Sequence, residues 1–147
     1  MPAVVQLFFD IIPERDNLIT IGVSQIVYHP SIYLDYYFCG PARSKENTLR
    51  EKARKNRLKD GVLDFKKAGR LKQVFCNTYI DGRFHHEHFG LKEAADMEAI
   101  TFDTTFSRNW ENISCNDIHQ SRLFGHMVIF PPVQFAVYAG CKKIYLV

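Results

Sequence analysis

Four stretches of this chain are apolar without a regular polar alternation: LITIGV (Leu18 to Val23), YLDYYFC (Tyr33 to Cys39), KQVFCNTYI (Lys72 to Ile80) and AITFDTTF (Ala99 to Phe106). A strand with one wet face alternates apolar and polar residues; a strand covered on both faces does not. These runs therefore predict a mostly parallel sheet with helices above and below it. The segments between them supply the helices. Ser44 can cap a helix through about Lys59, ended by Gly61, and VLDFKKAG adds a further turn or two. LKEAADMEAI reads as a short helix or loop. PPVQFAVYAG sets Pro131 or Pro132 at a helix start and Gly140 at its end, the usual asymmetry, with KKIYLV following as a strand.

The remaining punctuation fits this order. Val4 to Ile12 reads as a short helix stopped by Pro13; Pro30 marks a turn, Gly40-Pro41 a break, and Asp81-Gly82 another turn. Residues 108–120 are polar and irregular. The expected architecture is a single three-layer α/β domain of Rossmann-like type over residues 1–147, partial at its ends, with a basic, mostly helical insertion at 43–72. A chain of 147 residues is long enough for one such core.

Charge is uneven. The net charge is +3, yet Arg43 to Lys72 holds twelve Lys/Arg against four Asp/Glu, a local +8 that leaves −5 on the rest. Such a segment is either a solvated surface helix or a contact for phosphates or an anionic membrane surface. Nucleic acid is disfavoured: Phe65 is the segment's one aromatic, so bases find little to stack on, and no recognition motif is present. Cys39, Cys76, Cys115 and Cys141 are scattered and form no C-x-x-C pair. The start, MPAVVQLFFDIIPERD, has no basic leader, and Gln6 and Asp10 interrupt its apolar run. Together these features read as a reduced, cytoplasmic protein, peripheral to the inner membrane if the basic segment meets lipid.

Catalytic signatures are sparse. FHHEHFG brings His85, His86 and His88 together around Glu87, and imidazole with carboxylate suits zinc. The spacing is not H-E-x-x-H, however, and a polar turn accounts for the cluster without a metal. There is no G-x-S-x-G elbow, P-loop or G-x-G-x-x-G. Cys39 at a strand end reads as a small buried hydrophobe rather than a reactive thiol. Asp81, Asp103 and Asp117 read as turn or cap residues.

Two stretches carry a resemblance. FPPVQFAVYAGCKKIYLV is similar to the helix–strand unit of the bacterial CMP-sialic-acid-dependent sialyltransferases, and closer still to the MptE-like proteins named after an archaeal hydroxymethylpterin pyrophosphokinase. There a helix ends in G-[aromatic]-K-[EK]-[IV]-Y-L; Gly140, Lys142, Lys143, Ile144, Tyr145 and Leu146 stand in that pattern, with Cys141 in place of the aromatic. LITIGVSQIVYHPSIYLDYYFCGPA, Leu18 to Ala42, resembles the family's strand, its polar [GC]-V/C-N-x turn and its next strand. The middle of the chain, about Arg43 to Gly125, shows hardly any likeness.

The resemblance implies a Rossmann-like domain that binds a CMP-sugar and passes the sugar to a surface glycan without metal or other cofactor; the alternative is a pterin or nucleotide pyrophosphate transferase. It implies nucleotide contacts at Ser24, Gln25, Gly40, Pro41 and His126. The departures are specific. The family's Asn is Ser24 here, which lacks the amide's double reach, and its Asn before Pro is Gly40. Nothing resembles its first strand and GNGPSL-type loop. Its catalytic His lies beyond the point matching Val147, so the catalytic base is unassigned. The expectation is a fragment or degenerate copy of a nucleotide-sugar-dependent glycosyltransferase of polysaccharide synthesis, binding nucleotide weakly and inactive alone. A non-catalytic module that meets phosphates or a membrane through residues 43–72 is the rival reading.

Overall fold

The computed structural model describes residues 18–29, 32–39, 49–80, 82–84, 89–105, 123–124 and 128–146. It contains the strands β1 (Ile21–Val23), β2 (Leu34–Cys39), β3 (Leu71–Ile80), β4 (Arg83–Phe84), β5 (Ile100–Thr105) and β6 (Leu123–Phe124). The helices are α1 (Leu49–Lys67), α2 (Leu91–Asp96) and α3 (Phe130–Tyr138), with a 3-10 turn over Ser24–Tyr28. One six-stranded sheet runs β1-β2-β3-β5-β6, every neighbouring pair on that path parallel, and β4 folds back antiparallel on β3.

Register places Tyr37 beside Val74 and Cys39 beside Cys76. These side chains share one face of the sheet, where Val62 and Phe65 of α1 and Ala94 and Met97 of α2 close over them. Val62 and Phe65 are fully buried, which at ordinary transfer energies stabilises the fold by about 1.5–3 kcal/mol each. The intervening residues face the other way. There the Phe38 and Phe75 rings stack at 4.7 Å and 9°, and Phe135 of α3 lies 5.5 and 5.1 Å from them. Tyr36 meets Phe135 edge-on at 5.0 Å. Aromatic pairs of this kind add about 0.5–1.5 kcal/mol beyond their buried area. Helices thus cover both faces, which is why the strands lack polar alternation.

Each helix ends on a reciprocal pair of backbone bonds around a left-handed residue. Gly69 (φ 67°) closes α1 through Gly69 N–H to Lys66 O and Arg70 N–H to Phe65 O. Gly140 (φ 80°) closes α3 in the same way. At the end of α2 the residue is Glu98, φ 51°. Its carboxylate meets Lys66 Nζ at 2.7 Å, and Lys66 also donates to the Met97 carbonyl at 2.8 Å.

Several expectations change. Gly61 does not end the basic helix: α1 continues to Lys67 and takes in Val62 to Lys67 of VLDFKKAG. Gly61 is there for contact, since a Cβ would come within 3.0 Å of Tyr28 and 3.2 Å of Val27. The helix is the crossover between β2 and β3, with its second half in the core. Strand β1 is shorter than Leu18 to Val23, because Thr20 spends its N–H and Oγ1 on the Asp35 carboxylate. KKIYLV is not a strand over its described part: Lys142–Leu146 pairs with no strand, and Leu146 is 70% exposed. Strands β4 and β6 were not expected. The predicted helix at Val4 to Ile12, the Pro30 turn and the irregular stretch 108–120 lie outside the described residues.

Candidate functional site

Ligands of open α/β sheets gather at the carboxyl ends of strands, where successive connections depart to opposite faces. In this chain the connections after β2 and β3 place α1 and α2 on one face, whereas α3 packs on the other. Strand β6 is at the far edge, yet Phe135 of α3 reaches Tyr36 and Phe38 of β2. The helix therefore runs back across the sheet.

Ser24 stands at the carboxyl end of β1. Its φ of +54° is left-handed, a conformation that costs a non-glycine residue about 1–2 kcal/mol. Tyr37 on β2 secures it, its hydroxyl donating to the Ser24 carbonyl at 2.6 Å. Burial, reinforced by the neighbouring Cys39, Tyr28 and Cys76, pushes the Tyr37 phenol far above its ordinary range, so the proton stays on oxygen and the donation persists. The Ser24 and Gln25 side chains are exposed. Below them the chain packs tightly: a Cβ on Gly22 would meet Leu34 at 2.6 Å and Ile26 at 2.7 Å. Beside them Arg57 of α1 lies 4.9 Å over the Tyr28 ring, so a guanidinium borders the segment that Ser24 begins.

Further along the carboxyl edge, the pairing of β3 with β5 slips between Asn77 and Tyr79, a bulge at Thr78. Asn77 Nδ2 donates to Thr104 Oγ1 at 2.7 Å in the interior, while Asn77 Oδ1 and Thr78 Oγ1 are buried without a hydrogen-bond partner among the described residues. On the hairpin side, Gly82 N–H donates to Asp103 Oδ2 at 2.9 Å. Cys39, which ends β2, is buried; burial, with the hydrogen-bonded Cys76 thiol beside it, pushes its own thiol well above the ordinary value. It is a packing residue, as its sequence context suggests. Among the described residues, this edge thus exposes the Ser24 and Gln25 side chains, with the Asp103 carboxylate on the hairpin side and the Arg57 guanidinium beside Tyr28.

Of the residues expected to contact nucleotide, Ser24 and Gln25 lie together at this edge. Gly40, Pro41 and His126 fall outside the described residues, as do His85, His86 and His88. Among the described residues no group of three or more His, Cys, Asp or Glu could hold a metal ion. Sequence reasoning did not find Tyr37 as the support of Ser24, or the Asn77–Thr104 pair; both depend on strand register. No protein-family model, curated protein or solved structure matches the chain.

Proposed function

We propose that this chain is a nucleotide-binding α/β domain of the CMP-sugar-dependent transferase kind, with its ligand at the carboxyl end of β1. The observation that carries the reading is the exposed Ser24–Gln25 pair at the carboxyl end of β1, where α/β sheets bind their ligands, with Ser24 held there in a strained left-handed conformation. Strain concentrates where a ligand or a mechanism requires it. Ser24 and Gln25 would hydrogen-bond the base or ribose, and Arg57 would face the phosphate. In this reading a glycan hydroxyl is the acceptor, and the chain by itself binds CMP weakly and transfers little or no sugar. Gly40, Pro41 and His126 complete the proposed nucleotide contacts from the resemblance alone. The test is calorimetric titration of the chain with CMP, with a CMP-sugar and with a pterin. Tighter binding of CMP than of pterin is expected; pterin preference would favour the pyrophosphate-transfer reading, and rapid turnover of a CMP-sugar would overturn the claim of inactivity.

A further inference from the structure

The first half of α1 does not belong to the core. The helix is anchored by Leu58, Val62, Leu63 and Phe65, and from Leu49 to Arg57 it extends beyond them by about 13 Å at the standard rise. Leu49 is 86% exposed, and Lys52, Ala53, Arg54, Asn56 and Arg57 are exposed as well. Leu49 to Lys59 contains six Lys/Arg and one Asp/Glu. The ion pairs Lys66–Glu98 and Lys72–Asp35 lie away from this arm.

The arrangement around the helix is specific. Leu49 and Ala53, one turn apart, form an outward stripe. Lys52, Lys55 and Lys59 flank it on one side, Arg54 and Arg57 on the other. Because α1 leads from the end of β2 to the start of β3, this arm projects on the carboxyl side of the sheet.

We infer that the arm Leu49–Lys59 docks the protein on an anionic phospholipid surface. Clusters of four to eight Lys/Arg on a helix are attracted to acidic headgroups, and the exposed Leu49 can dip into the boundary beside them. Nucleic acid fits less well: Phe65, the aromatic of the segment, is buried in the core and unavailable to bases, and Leu49 and Ala53 offer no hydrogen bond to a base edge. The inference shares Arg57 with the proposed nucleotide site, but its test changes Lys52 and Arg54, which that site does not use.

The test is co-sedimentation of the 147-residue chain with two kinds of vesicle at low and high salt. One kind is phosphatidylcholine alone, the other phosphatidylcholine with phosphatidylserine. Binding is expected only to the second kind, and it should weaken as salt rises. The double variant Lys52→Gln/Arg54→Gln removes two exposed charges outside the core, and circular dichroism checks its fold. It should bind about 30-fold more weakly, from about 1 kcal/mol per cation. Equal binding to both vesicles, an unchanged affinity in the folded double variant, or tighter binding to duplex RNA than to acidic vesicles in one buffer would overturn the inference.

Discussion

The Tyr37 hydroxyl donates to the Ser24 carbonyl across 2.6 Å, and Ser24 sits at φ +54°. The two facts are coupled. A left-handed serine at the end of a three-residue strand needs a tether, and the buried phenol supplies it. Tyr37→Phe should lower unfolding free energy by about 1–2 kcal/mol, the cost of leaving that carbonyl unpaired. Chemical denaturation measures this. The amides of Ser24–Tyr28 should also exchange faster with solvent, while those of β3 keep their protection.

Gly22 gives a second stability prediction. A Cβ there would come within 2.7 Å of both Leu34 and Ile26, so Gly22→Ala forces β1 away from its neighbours. Overpacking of this kind costs about 1–3 kcal/mol. Urea unfolding should show a lower midpoint with an unchanged slope.

Asp35 predicts the acid limb of stability. Burial alone would raise its pKa; the Lys72 ammonium and the Thr20 N–H and Oγ1 outweigh burial and hold it below the ordinary 3.8. A depressed carboxylate stabilises the fold fully above its unfolded pKa and loses that contribution as pH falls through the folded value. Lys72, raised by the same partner, keeps its share until pH climbs through its folded value, above 10.5. Thermal melts across acid pH should therefore fall steeply for the parent chain and less steeply for Asp35→Asn, which starts lower at neutral pH.

The thiols provide a chemical check on the core. Cys39 and Cys76 are buried side by side on β2 and β3, whereas Cys141 is half-exposed just beyond α3. Alkylation followed by mass spectrometry should label Cys141 in the folded protein and Cys39 and Cys76 only after unfolding. Native labelling of Cys39 would contradict its place in the core.

The layers were legible in the sequence because runs such as KQVFCNTYI lack alternation, and only a doubly covered strand tolerates that. The ends of α3 were legible because Pro131 and Gly140 act locally. The extent of α1 was not. A glycine inside a helix looks like a stop, and only the approach of Tyr28 and Val27 explains why Gly61 is tolerated. The fate of KKIYLV was not legible either: strand propensity is realised only where a partner edge is available, and Lys142–Leu146 pairs with none. A turn after Ile80 was legible; the β3–β4 hairpin it leads into, with Ile80 opposite Arg83, was not. Of the candidate site, Ser24 and Gln25 were readable as residues; Tyr37 was not, since its role arises from its register and burial.

Backbone strain and side-chain chemistry at Ser24 can be separated. Ser24→Gly removes the left-handed cost and the hydroxyl together. Ser24→Asn keeps a hydrogen-bonding group and suits the left-handed region. We expect Gly to raise stability by about 1 kcal/mol and weaken nucleotide binding, and Asn to strengthen both. The most direct measurement is a nuclear magnetic resonance titration of the parent chain and these two variants with CMP. Shift changes should concentrate at Ser24 and Gln25, with affinity in the order Asn, Ser, Gly. Shift changes that leave Ser24 and Gln25 unmoved, or equal affinity in all three proteins, would contradict the proposed site.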